Sequence, residues 1–569
     1  MSSECTRIAL CLVALQVTCH GQYLRGVNLA GAEFGEASIP GAIGSTHTYN
    51  SAKSFQYFAA RSLGLIRLPI RWERLQPALR GPLDPTNLAA LKQDVKWAQD
   101  AGCKLAIDPH NFGRYKIVEN GKLVEYIIDA KDGKVTAADF ADFWARMSIE
   151  FKDEPAVYAY DLMNEPHDMG SASWKTISQA AVSAIRANGD NKLILVPGGA
   201  SYSAAQRWPN DNGATSWISD PANNFMYEAH QYFDSDNSGS YTRTYDQELA
   251  GNPNLPVIGP TRIAPFVNWC RNNNVRCFLG EYGVPNNDPR WLTVLDNLLK
   301  ALDDAGMDGA YWAAGEWWGN YILSVQPANN FTTDRAQTPI LLGHLAADTF
   351  TSVSAAAVWG YSVSPGSYVA GFGKNVAADS KVQLTDSTGN TTSAPIVAAV
   401  QGQVNYLVPD GIPLGRVDVK LITGEQVAAS GVLIIEATAP TLFSANNSGQ
   451  GIAAAQVLRV KADGSQSYEN VARFDNAKNT YFAAPVFFGG DRLFLILYGT
   501  GFKNSTASNA TLKLGSTTIP VAYAGAQNQY PGLDQVNAEL PNSLVGAGEI
   551  PVSLTISGKT ANGITVAFQ

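Results

Sequence analysis

The chain is poor in charge, in histidine and in cysteine, and each shortage removes a class of function. Lys, Arg, Asp and Glu make up 16% of 569 residues and the net charge is -9. An acidic chain without a basic run repels a phosphate backbone, so nucleic acid is not an expected partner. The histidines after residue 21 (His47, His110, His167, His230 and His344) are dispersed and never join cysteine at zinc-ligand spacing, so no metal and no other cofactor is expected. No run after the first residues reaches the ~20 apolar residues that cross a bilayer. At the start, Arg7 precedes an apolar stretch from Ile8 to Val17, followed by small or polar residues from Thr18 to Gly21. That is the pattern of an export signal over 1–21, with a secreted mature chain starting near Gln22. Cys19 as a lipidation site fits poorly with Gln16-Val17-Thr18 before it. Three cysteines then remain, Cys103, Cys270 and Cys277. The last two either close a short loop or lie as buried thiols at a helix end and a strand start, and the spacing leaves both open.

The length calls for two or three domains. Up to about residue 349, short apolar runs alternate with amphipathic stretches. The strand candidates are Leu24 to Leu29, Leu65 to Pro69, Lys104 to Asp108, Val157 to Leu162, Leu193 to Val196, Asn224 to Glu228, Arg276 to Gly280 and Gly309 to Ala313. Helix-like segments between them include Asn50 to Ser62, Asn87 to Ala101, Ala137 to Phe151, Trp174 to Ala187, Ile263 to Asn273 and Arg290 to Ala305. Eight such units predict an α/β fold, a closed (β/α)8 barrel over 22–349. Near residue 350 Val, Thr, Ser and Gly take over, histidine and cysteine vanish, and apolar-polar alternation replaces helix patterning. The segment Gln403-Val404-Asn405-Tyr406-Leu407-Val408-Pro409 recurs as Gln535-Val536-Asn537-Ala538-Glu539-Leu540-Pro541. This predicts two immunoglobulin-like sandwich domains, 350–437 and 438–569; the alternative is one larger sandwich with chance turn similarity.

Two carboxylates close predicted strands: Glu165 in Met163-Asn164-Glu165-Pro166-His167 and Glu281 in Phe278-Leu279-Gly280-Glu281-Tyr282-Gly283. An acid and a nucleophile flanking one glycosidic bond need a rigid rim, which the strand C-termini of such a barrel provide. Arg67, His110 with Asn111, His230 with Tyr232, and Trp312 also fall at predicted strand ends and would converge on that rim. With Gly26-Val27-Asn28-Leu29-Ala30-Gly31, His230-Gln231-Tyr232 through Gly239, and Tyr311-Trp312-Ala313-Ala314-Gly315, the order of motifs over about 22–345 resembles glycoside hydrolase family five, especially its secreted endo-β-1,4-glucanases.

The resemblance implies a retaining hydrolase with Glu165 as acid/base and Glu281 as nucleophile. Arg67 and Tyr232 would bond the nucleophile, Asn164 the sugar 2-hydroxyl and His110 another hydroxyl. His230 would sit by the acid, and Trp312 would form the floor under the sugar. The implied partner is a β-glucan such as cellulose, cleaved at internal bonds by a monomer. Mannan, xyloglucan and mixed-linkage glucan are alternatives, as is a carbohydrate-binding or surface protein without catalysis. Trp174, Trp208, Trp217, Trp317 and Trp318 lie in or near rim loops, and Trp174 and Trp318 are the ones expected to stack further sugars. Glu33 and Glu316 are acidic near strand ends but carry no motif. The run Asp234 to Gly239 opens like a calcium loop, yet Tyr245 stands where the bidentate glutamate belongs, so a substrate-side loop is expected. Ala439 to Ser444 and Asp534 to Asn537 resemble a β-domain at the C-termini of secreted acidobacterial proteins, which implies no activity.

Overall fold

The computed structural model describes residues 23–356 and 362–569; the expected export signal over 1–21 lies outside them. Eight strands form a closed parallel barrel: β1 (Arg25–Leu29), β2 (Leu65–Ile70), β3 (Lys104–Pro109), β4 (Val157–Asp161), β5 (Leu193–Pro197), β6 (Phe225–His230), β7 (Cys277–Glu281) and β8 (Asp308–Ala314). Each pairs with its neighbours in sequence, and β8 closes on β1. All eight match the predicted runs to within two residues at either end. The helices do as well, except that Ile258–Asn273 begins five residues before the expected Ile263, and the amphipathic ones present their apolar side inward: in Trp291–Ala305, Val294, Leu295, Leu298, Leu299 and Leu302 are buried at the i, i+3, i+4 spacing that one helix face requires. Cys270 and Cys277 are disulfide-bonded, tying the end of helix Ile258–Asn273 to the start of β7. Cys103 is free and buried, and burial pushes its thiol up to about 12, which leaves it unreactive. Among the described residues no helix is long and apolar enough to cross a membrane.

The remainder is built of strands. Between Thr351–Ser354 and Gln426–Ile435 two sheets face each other over a core of Val382, Val404, Tyr406, Val417 and Leu433. From Thr441–Leu442 to Ile564–Phe568 two further sheets enclose a separate core that includes Leu495, Val536, Leu554 and Val566. The repeated segment supplies one strand to each pair, Gln403–Leu407 and Asp534–Glu539. In both copies the glutamine amide donates to the asparagine two residues on, at 2.9 Å for Gln403 to Asn405 and 2.7 Å for Gln535 to Asn537. The first sheet pair seats against the barrel's helices. Ser62 and Thr351 share a hydroxyl hydrogen bond, and the Arg416 guanidinium covers Gly102 at the end of helix Pro85–Ala101.

Candidate active site

The site is assembled at the C-terminal ends of the barrel strands around Arg67, which is fully buried on β2. Its Nε donates to Asp161 Oδ2 at 2.7 Å, and its Nη1 to Asn28 Oδ1 at 2.9 Å and to Glu281 Oε1 at 2.8 Å. Its Nη2 donates to Asn164 Oδ1 at 2.9 Å, while Asp108 and Glu228 each lie 3.1 Å from the guanidinium. A planar fork with five donors is the side chain able to hold that many oxygens at fixed angles. Glycine makes room for it: a Cβ on Gly280 would stand 1.7 Å from Glu228 Oε1.

Glu281 ends β7 and is 4% exposed, gripped by Arg67 on one oxygen and by the Tyr232 hydroxyl, which donates to the other at 2.9 Å. Burial pushes its carboxyl above the usual range, whereas the charges of His230 and Arg67 pull it back. Burial and Glu281 together hold the Tyr232 phenol well above its ordinary value, so it remains a donor. Tyr232 is braced by the loop that follows it. Asp234 accepts from Gly239 N and Tyr241 N at 3.1 Å each, and Asn237 Oδ1 accepts from Tyr232 N at 3.1 Å. Asp236 Oδ1 likewise accepts from Ser238 N at 3.2 Å, so both carboxylates of this calcium-like run are committed to their own turn. Gly239, at φ +75°, lies flat on the Tyr232 ring, where a Cβ would come within 2.8 Å.

Glu165 follows β4 in the left-handed region, at φ 44°, a costly conformation for a residue with a side chain. Asn164 N donates to Pro109 O at 2.9 Å, which anchors the turn. The Glu165 carboxylate is 15% exposed and meets His230 Nδ1 at 2.7 Å; His230 Nδ1 is also 3.6 Å from Glu281. Burial works against charge on His230, but Glu281, Glu165 and Glu228 outweigh it and lift its pKa to about 10. His110 is the reverse case: burial holds it down at about 3, with Nδ1 2.8 Å from Asp108. Burial also raises Asp108 and Asp161 well above the carboxylate range, against the lowering pull of the Arg67 charge.

Atoms of Glu165, His230 and Glu281 lie within 4.8 Å of one another, a grouping that could also hold a cation. Here His230 Nδ1 stands between the two carboxylates, and Arg67 already supplies positive charge to Glu281. Trp312 packs face to face with His110 at 5.4 Å and 19°, edge-on to Trp318 at 5.9 Å. Trp318 stacks in turn on Tyr321 at 4.3 Å. Asn164 Nδ2 is buried with no hydrogen-bond partner, a donor aimed at nothing the protein supplies.

Arg67, His110, Asn164, Glu165, His230, Tyr232, Glu281, Trp312 and Trp318 therefore come together. Trp174 does not. It is 4% exposed, its indole N–H donates to Pro197 O at 2.8 Å, and it packs on Phe140. It opens helix Trp174–Ala187 on the same inward face as Ile177, Ser178 and Ala181, so burial of that face takes the ring away from any sugar. Trp208 is likewise buried, and Trp217 packs on Tyr227. Glu316 accepts from Ser51 N at 3.1 Å and Ser54 Oγ at 2.9 Å, bonding the start of helix Ala52–Ala60. Glu33 is buried and accepts from Gly31 N at 2.7 Å, and burial pushes it up to about 7. Sequence reasoning missed Asn28, Asp108, Asp161 and Glu228. The signal was present: Asp108 and Glu228 stand two residues before His110 and His230, on the same side of their strands.

Comparison with known proteins agrees with this geometry. Residues 27–317 match the family described as cellulase (glycosyl hydrolase family 5). The chain is 32% identical over 306 residues to endo-β-1,4-glucanase B of Emericella nidulans, covering 53% of this chain and 86% of that protein. It is 32% identical to endoglucanase 3 of Humicola insolens, over 53% of this chain and 72% of that one. Among solved structures, the Pseudomonas stutzeri endoglucanase Cel5A in complex with cellobiose is 38% identical with a TM-score of 0.51, covering 57% of this chain and 92% of its own. With an eight-stranded barrel, facing glutamates at two strand ends and a family match across more than half of its length, this chain belongs to glycoside hydrolase family 5 and is a β-1,4-glucan hydrolase of the endoglucanase type.

Proposed function

We propose that the chain is a secreted, monomeric enzyme that cleaves internal β-1,4-glucosidic bonds of accessible cellulose or related glucans with retention of anomeric configuration. One observation carries this reading: carboxylate oxygens of Glu165 and Glu281 approach within 4.8 Å across the cleft. Retaining enzymes hold the two groups about 5–5.5 Å apart, whereas inverting ones need about 6.5–9.5 Å to admit a water. Glu281 attacks the anomeric carbon and forms a glycosyl ester as the glycosidic C–O bond breaks. Glu165 passes its proton to the departing oxygen. Water then attacks the same carbon, Glu165 takes the water's proton, and the ester bond breaks to restore Glu281.

Arg67 and Tyr232 fix the orientation of the attacking carboxylate. The unpartnered Asn164 Nδ2 donates to the sugar 2-hydroxyl, a contact that strengthens as positive charge develops on the ring. His110 bonds a hydroxyl of the same sugar, and the Trp312 face lies beneath it with Trp318 extending the apolar floor.

The test is reducing-sugar release from carboxymethylcellulose, barley β-glucan, xyloglucan and mannan by the mature chain and its Glu165→Gln and Glu281→Gln variants. The first two polymers should be cleaved, with kcat falling about 10²–10⁴-fold for Glu165→Gln and at least as far for Glu281→Gln. Cleavage confined to mannan or xyloglucan would refute the substrate while keeping the catalytic pair. A wild type that binds but cleaves none would leave a carbohydrate-binding protein.

A further inference from the structure

The second sheet pair turns one face outward that is not built like an ordinary solvated surface. Its strands lie in the order Gln466–Asn470, Ala455–Val460, Arg492–Thr500, Asp534–Glu539, Val521–Ala526. Inward residues Val457, Leu493, Leu495, Leu497, Val536, Ala538 and Ala524 belong to the core. Period-two alternation therefore sends the residues between them outward. Across the strands the register places Tyr468 beside Leu458 and Leu458 beside Phe494. The next outward row runs Asn470, Gln456, Ile496, Asn537, Tyr523, and the one after it Tyr498, Gln535. Four rings and four neutral amides thus share one face with Leu458 and the buried Ile496, over five strands, a width of about 19 Å at the usual strand spacing.

Three features select the kind of molecule this face suits. The rings are accessible: Tyr468 is 61% and Tyr523 37% exposed. The amides are held in place, since Tyr498 Oη donates to Gln456 Oε1 at 3.0 Å, Gln456 Nε2 to Asn470 Oδ1 at 3.1 Å, and Gln535 Nε2 to Asn537 Oδ1. That pattern orients the amides while leaving the Asn470 and Asn537 Nδ2 groups outside the network. The face also carries no net charge, because its outward Arg492 and Glu539 pair with each other at 2.8 Å. Flat rings suit the C–H faces of pyranoses, fixed amides suit hydroxyl groups, and neutrality suits an uncharged polymer while discouraging an acidic or basic one.

The first sheet pair offers a contrast. Its copy of the Gln-Asn pair lies beside Phe372 and Ala370; the next pair on that face, Tyr368 and Leu407, lies against Gly532 of the second pair, and Phe372 lines a cavity against the barrel side. The Gln-Asn pairs themselves are half-buried in both copies, and what differs is the flanking rings, half-buried Tyr368 and Phe372 in the first and exposed Tyr523 in the second.

We propose that the open face of the second sheet pair binds a β-glucan chain and holds the enzyme on its polymer; this rests on the glucanase reading above. The experiment uses the full-length mature chain carrying Glu281→Gln, so that polymer is not consumed. Retardation in native gels containing barley β-glucan, and depletion by phosphoric-acid-swollen cellulose, are measured with and without Tyr468→Ala plus Tyr523→Ala. A control carries Phe474→Ala plus Phe482→Ala, exposed rings on the separate hairpin Ala472–Asp475 and Thr480–Ala483. Retention should weaken about tenfold in the face variant and stay unchanged in the control, with unfolding temperatures equal throughout. Unchanged retention in the face variant, or equal loss in the control, overturns the proposal. Asn537→Ala provides an independent check, since it leaves every ring in place and should also weaken retention. With Glu281 restored, cellohexaose hydrolysis should be the same with and without the tyrosine changes. A wild type inert on cellohexaose would count against the glucanase reading, whereas retention answers for the face alone.

Discussion

The barrel interior beneath the cleft gathers four carboxylates around one guanidinium, while the two sandwich cores are filled with Val, Leu, Ile and Phe. Both regions use the same device, strands that alternate between an inner and an outer face. In the barrel strands polar residues stand between apolar ones: Val27 and Leu29 flank Asn28, Ile66 and Leu68 flank Arg67, and all of them are buried. A buried ion pair adds little to stability because desolvation offsets the attraction, yet removing one partner leaves the other stranded at high cost. The sandwich cores have no such dependence, and each apolar side chain contributes on its own. The charged interior therefore fixes geometry, and the apolar interiors hold the chain together.

Breaking the charged side should have the largest effect. Arg67→Met leaves Asp108, Asp161, Glu228 and Glu281 without their shared cation. Stability should fall by about 3–5 kcal/mol in chemical denaturation, and kcat by at least about 10³-fold. An intact kcat would show that the guanidinium is dispensable for Glu281.

The second way to sharpen the contrast is pH. His230, lifted to about 10 from an ordinary 6.5, contributes stability that is complete below pH 6.5 and lost as pH rises through 10. His110, held at about 3, contributes stability that is complete above pH 6.5 and lost as pH falls through 3. Unfolding temperatures from pH 4 to 10 should show His230→Asn flattening the alkaline limb and His110→Asn the acid limb. Identical profiles in all three proteins would refute the assignment.

The smallest effect on activity belongs to the sandwich. Leu495→Ala, at a fully buried position, should cost about 2–5 kcal/mol in the unfolding of its own sheet pair. It should leave kcat/KM on cellohexaose unchanged, and a parallel loss of activity would mean that the two interiors are coupled.

The strands, most helix limits and the residues gathered at the cleft were legible because they rest on local pattern: period-two runs, i, i+3, i+4 faces and polar residues at strand ends. What escaped depends on distance in sequence. Glu228 reaches Arg67 only because Gly280, on the neighbouring strand, lacks a side chain. Trp174 read as a platform because a tryptophan beside a loop looks the same from the sequence whether its helix face points in or out. The Cys270–Cys277 bond stayed open for the same reason, since spacing cannot say where two side chains point. The outward aromatic rows of the second sheet pair needed the register of five strands before Tyr468 and Tyr523 could be placed on one surface.

The backbone of Glu165, held at φ 44°, has a consequence for how this chain can change over time. Glycine adopts that conformation without steric penalty, so folding alone favours glycine here by about 1 kcal/mol or more. Catalysis favours the carboxyl that glycine lacks. Drift toward a more robust fold and retention of activity therefore pull this single codon in opposite directions, and lineages released from the need to cleave glucan should lose their glutamate here early.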